Sequence, residues 1–122
     1  MRQQTITTLS PCSNVGFALV LHSTGAVKAN VASSSVRLEV TSVLPSILDG
    51  QWHQVVMVFG RNTLSTAGNL TLYVDGALAA PTVTASAMGT ISTAFPVAVG
   101  QDGTLGFTTG SHLGTSIDEV CM

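Results

Sequence analysis

Trp52 and His53 stand side by side in LDGQWHQVVMVFG, residues 48–60, and no other pair in the chain is as suited to surface chemistry. An indole face stacks on sugar rings, and an imidazole titrates close to neutrality and passes protons. Phe107, in TLGFTTGSHLG, is an aromatic residue in a glycine-rich loop, a place that suits sugar stacking or protein contact. The competing role for Phe107 is to plug one end of a core. His22, His53 and His112 are scattered singly, with no zinc spacing, phosphate loop or nucleophile elbow around them. The acidic residues are Glu39, Asp49, Asp75, Asp102, Asp118 and Glu119. Asp49, Asp75 and Asp102 each precede a glycine, which suits a turn former. Asp118 and Glu119 are neighbours, so on a strand they point to opposite faces and cannot flank one bond. Cys12 and Cys121 lie near opposite ends: a disulfide follows if the ends meet in space, two ordinary buried thiols if they do not.

The elements that carry these residues read as strands. Period-two alternation recurs, and no stretch sustains a helical period. In GFALVLHSTGAVKANV, residues 16–31, Phe17, Leu19 and Leu21 share one face. Ser23-Thr24-Gly25 is then a turn, and Val27, Ala29 and Val31 share a face on the return, which predicts a hairpin. Val36, Leu38 and Val40 alternate with Arg37, Glu39 and Thr41, as in a strand with one wet face. Pro45 ends that run and Asp49-Gly50 turns the chain into the Trp52 segment. From Trp52 to Phe59 both faces are apolar, with His53, Val55, Met57 and Phe59 on one and Trp52, Val56 and Val58 on the other together with Gln54. Such a strand is expected to be central and covered above and below. LTLYVDGALAA carries Asp75-Gly76 between alternating runs, a two-residue hairpin signal. FPVAVG, residues 95–100, reads as a short strand, the piece from Pro81 to Ala94 as an ordered loop or strand, and GTSIDEVCM as a last strand. Short strands punctuated by frequent turns predict an antiparallel sandwich or jelly roll in one domain, residues 1–122.

Bulk composition narrows the partners. Only 8% of residues are charged against 45% hydrophobic, and the net charge is −2. Four Lys and Arg residues leave no electrostatic footprint for nucleic acid or an anionic membrane. No apolar run approaches the roughly 20 residues a membrane helix needs, and Met1–Ser10 lacks the apolar core of a signal peptide. Low charge weakens self-repulsion and eases association with other protein surfaces. Asn69-Leu70-Thr71 fits the glycan-acceptor pattern, but a predicted strand begins there and the match reads as coincidence.

LDGQWHQVVMVF, LTLYVDGALA, PVAVG and LGTSIDEV, in this order and spacing, resemble the laminin-G-like, concanavalin A-like lectin and glucanase jelly-roll family. GFALVLHSTGAVKANV is similar to that family's upstream hairpin, and the likeness runs from about Thr5 to Val120. The resemblance implies an all-β two-sheet jelly roll in which Trp52 and His53 are structural, packed in or near the core at the entry of a central strand. Asp75 and Gly76 would be structural in the hairpin turn. The family pattern also implies further N-terminal strands, roughly 25 to 30 residues by domain-size norms, that this chain lacks before Thr5. The chain is then expected to be either a trimmed domain or a protomer whose unpaired sheet edges are completed by another chain or by a homo-oligomer. Glucanases of this fold bring two carboxylates together on an E-x-D-x-x-E or E-x-D-x-E strand, and this chain has no such pattern, so it is expected not to be an enzyme. Laminin-G-like domains often hold one calcium ion at a loop rim, and Asp102 is the candidate ligand here, with Phe107 as its companion in ligand binding. The implied function is a binding module that presents rim loops to a carbohydrate or protein outside the cell. The alternative is an assembly subunit of a surface or virion particle, which would need no leader.

Overall fold

Alternation becomes architecture in a computed structural model that describes residues 15–43, 45–62, 66–92 and 116–122. Among the described residues there is no helix. The strands are β1 (Gly16–Leu21), β2 (Val27–Ala32), β3 (Arg37–Thr41), β4 (Val55–Arg61), β5 (Gly68–Val74), β6 (Ala77–Leu78) and β7 (Val83–Ala85). They form two antiparallel sheets, one ordered β1-β2-β3, the other β4-β5-β6 with β7 also paired to β5.

The turns follow from local chemistry. Between β1 and β2, the His22 N–H donates to Ala26 O at 2.8 Å and the Gly25 N–H to His22 O at 2.9 Å. Between β2 and β3 the buried Ser33 hydroxyl accepts from the N–H groups of Val36 at 3.0 Å and Ser35 at 3.3 Å. That side chain satisfies backbone donors the turn would otherwise strand. At the β5–β6 turn Asp75 has φ 51° and Gly76 φ 77°, and Val74 pairs with Ala77. Two positive φ values in a two-residue loop make the turn whose twist matches its strands, and Asp-Gly tolerates that geometry.

Register sorts side chains into layers. In the first sheet Phe17, Leu19 and Leu21 sit across from Val31, Ala29 and Val27, and Val31 and Ala29 sit across from Leu38 and Val40. In the second, Val55, Met57 and Phe59 sit across from Val74, Leu72 and Leu70. These two faces meet, β3 on β5 and β7, and β2 on β5, so the molecule is an all-β two-sheet sandwich. Val27, Ala29, Val31, Leu38, Val40, Leu70, Leu72, Val74, Ala79, Ala80 and Met88 form its buried core. Each fully buried Leu contributes about 1.5–3 kcal/mol relative to exposure.

Three expectations are corrected. The strand after Asp49-Gly50 starts at Val55, so Trp52 precedes it, and its second face is open: Val56 and Val58 are exposed, Val58 by 47%. The reason lies in layering. The inner face of β4 meets the other sheet, while no described element lies over the outer one, so a doubly apolar strand has here one bare side. The expected last strand is irregular and exposed over residues 116–122, where Glu119 takes φ 49° and no described strand pairs with it. Cys121 is exposed with a free thiol rather than buried. Its candidate partner Cys12 lies outside the described residues, as does the segment 95–100. The Pro81–Ala94 piece contains β7 and sends Met88 into the core, where the Arg61 guanidinium donates to the Met88 carbonyl at 2.9 Å.

Candidate functional site

The end of the sandwich where the β3–β4 connection meets the β5–β6 turn gathers the most chemistry among the described residues. The β4–β5 register sets it. Val55 pairs with Val74, so the residues just before β4 lie against the turn just after β5. The Asp75 N–H donates to Gln54 O at 2.9 Å, and the Gln54 N–H donates back to Asp75 Oδ1 at 2.9 Å. That reciprocal pair fixes the turn to the strand entry and leaves Asp75 Oδ2 to take the His53 Nδ1 at 2.7 Å.

His53 is held from its other side as well. Its Nε2 lies 2.9 Å from Asp49 Oδ1, and the same oxygen accepts the Gln51 N–H at 2.8 Å. The chain thus bends back at Gly50 and delivers a carboxylate to the second ring nitrogen. Neutral imidazole has one N–H, whereas imidazolium has two. A ring between two carboxylates is therefore favoured in its charged form. The hydrogen bond to Asp75, then that to Asp49, raises the His53 pKa above the usual imidazole value. The same hydrogen bonds to His53 hold both carboxyl groups below the ordinary aspartate range, helped by the Gln51 N–H at Asp49 and the Gln54 N–H at Asp75.

This geometry fits a clamp better than a proton relay. Each ring nitrogen faces a carboxylate, so neither faces a hydroxyl or thiol that it could activate. The His53 side chain keeps 17% exposure, so the clamp is lined by solvent on one side.

Trp52 stands beside this clamp, and its position corrects the core assignment. The indole is 72% exposed. The physical reason is the one that bares Val56 and Val58: Trp52 precedes the outward-facing residues of β4 at the same alternation, and no described layer lies over that side. An exposed indole at an element's entry is free to stack on a ligand.

The remaining candidates separate from this site. Asp102, Phe107 and His112 lie outside the described residues, and with Asp102 goes the calcium expectation. Among the described residues no three His, Cys, Asp or Glu side chains gather as a metal-ligand set. His22 sits at the β1–β2 turn, its Nδ1 3.1 Å from the Thr24 hydroxyl. Glu39 pairs with Lys28 across the first sheet at 2.8 Å. Asp118 and Glu119 lie exposed near the end of the chain. Sequence reasoning missed Asp49 as a partner of His53 and missed the exposure of Trp52. A signal for the first was present: both Asp-Gly turns close at one end of the β4–β5 pair once its register is known.

Residues 2–122 match a laminin-G model described as the concanavalin A-like lectin/glucanases superfamily. No curated protein and no solved structure matches the chain.

Proposed function

The chain belongs to the concanavalin A-like lectin/glucanases superfamily, and from that membership we propose that it is a non-enzymatic binding module. It recognises a carbohydrate or protein ligand through the loops at one end of its sandwich. The observation that carries this reading is the exposure of Trp52, 72% open to solvent and next in sequence to the His53 clamp. An exposed flat apolar ring suits a sugar, whose apolar face can stack on it. Catalysis of the glucanase kind needs two carboxylates about 5 to 5.5 Å apart across the scissile bond. Here Asp49 and Asp75 are both engaged by the one imidazole ring between them.

A glycan-array and titration experiment on the wild-type chain and Trp52→Ala tests the reading. Binding of a defined sugar class that weakens at least about tenfold in the variant, equal to about 1.4 kcal/mol, is the expected result. Equal binding by both proteins, or none by either, counts against Trp52 as the contact.

A second reading, assembly into a larger particle, is favoured by a separate observation. Val56, Val58 and Leu78 are exposed on the outer side of the second sheet, and Phe17 and Leu19 are exposed along β1. Contiguous apolar exposure of this kind marks interaction surfaces. In that role the module would sit on a cell or virion surface and associate with copies of itself or with another chain.

A further inference from the structure

We propose that Asp49, His53 and Asp75 form a pH-operated latch on the Trp52 loop: the doubly protonated ring fastens the loop to the β5–β6 turn, and loss of one proton releases the Asp49 end. The inference does not depend on what Trp52 contacts. The two carboxylates approach different nitrogens, at 2.9 Å for Asp49 and 2.7 Å for Asp75. A neutral ring can donate from only one of them. Its other nitrogen then presents a lone pair to a carboxylate oxygen, and that contact turns from attraction to repulsion.

The surroundings decide which end opens. Asp75 is held independently of the ring, by the Gln54 N–H on its Oδ1 at 2.9 Å and by its own N–H on Gln54 O at 2.9 Å. Its contact with Nδ1 is also the shorter of the two. Apart from the ring, Asp49 is engaged by the Gln51 N–H at 2.8 Å, a bond inside the same loop that ties it to nothing else. Deprotonation therefore leaves Nδ1–H on Asp75 and frees Nε2 from Asp49. Residues 49–52, Trp52 among them, loosen while the hairpin stays in place. Among the described residues, Asp49 from the loop and Asp75 from the turn are the titratable groups acting on the ring. Both raise its pKa above 6.5, so the latch is closed below that value and opens as pH rises through the ring's own raised pKa.

The intact chain tests this, because Trp52 is its single tryptophan. The His53 ring is titrated by NMR from about pH 5 to 9, the range over which imidazoles change charge, and the Trp52 fluorescence anisotropy is followed over the same samples. The expected result is a His53 midpoint above 6.5 with Trp52 anisotropy falling through that same midpoint. Asp49→Ala is expected to give low Trp52 anisotropy at every pH, and Asp75→Asn to lower the ring's midpoint. A wild-type midpoint at or below 6.5, or wild-type anisotropy that is flat across the midpoint, overturns the proposal. Both deciding readings come from the unaltered protein, so a variant that fails to fold changes neither.

Discussion

Among the described residues His53, Asp49 and Asp75 carry a pH dependence, and its direction follows from the charge state the clamp selects. A ring whose folded pKa is raised contributes stability fully present below its unfolded value of 6.5, lost as pH rises through the folded one. Asp49 and Asp75, whose folded values are depressed, contribute stability present above 3.8, lost as pH falls through the lower folded values. Thermal melts are therefore expected to show a plateau between 3.8 and 6.5 and a decline on either side. His53→Gln is expected to remove the alkaline decline and to shrink the acid-side one, because the ring is the largest cause of the depressed Asp49 and Asp75 values. All three groups touch water, so the effect is also expected to shrink in about 1 M salt, where the screening length is about 3 Å. A melting profile of the wild-type chain that rises above pH 6.5 would contradict this account. Asp75 was legible in sequence as a turn former because Asp-Gly is one of few pairs at ease with two positive φ values. Its bond to His53 was not legible, since 22 residues separate the two and only the strand register brings them together.

The second sheet turns on β5, which pairs with β4 along one edge and with β6 and β7 along the other. Gly76 closes the β5–β6 hairpin with φ 77° and open space around its α-carbon. Gly76→Ala meets no steric obstacle, so its cost is conformational alone, about 1 kcal/mol, readable as a lower urea midpoint with unchanged slope. Gly68 presents the opposite case. A methyl group there would lie 2.6 Å from the Met88 side chain and 3.1 Å from the Phe59 ring. Gly68→Ala is thus expected to destabilise by about 1–3 kcal/mol through overpacking. Adding Met88→Ala is expected to offset part of that loss, and a double-mutant cycle with no coupling would refute the contact. Strand parity was plain in the sequence because alternation records which residues share a side. It does not record whether a second layer covers that side. That is why Val27, Ala29 and Val31 were readable as one face, while the bare outer face of β4 was not.

At the scale of the molecule, a net charge of −2 and 8% charged residues leave little repulsion between copies. Val58 lies near the middle of the exposed stripe on β4, pointing away from the core. Val58→Lys is expected to leave the fold intact, since the position is already in water, and to lower the sedimentation coefficient at high micromolar concentration if wild-type copies associate there. Variant and wild type sedimenting alike as oligomers would move the contact elsewhere, with β1 and its exposed Phe17 the next edge to alter. The all-β sandwich and its family were readable from the ordered run of strand and turn pieces, a pattern set by local chemistry. The irregular segment 116–122 was not, because alternation states a preference for extended backbone and pairing needs a neighbour.

Within each sheet the described strands pair with their neighbours in sequence, apart from β7, which folds back on β5. Each such pairing closes only a short loop, so the hairpins can zip independently and early. The slow step expected from this topology of the described strands is the collapse of one layer onto the other, bringing Leu38 and Val40 into the core with the β5 leucines across the β3–β4 connection. Refolding speed would then respond to the length and stiffness of that connection, and hardly at all to the strength of any single hairpin.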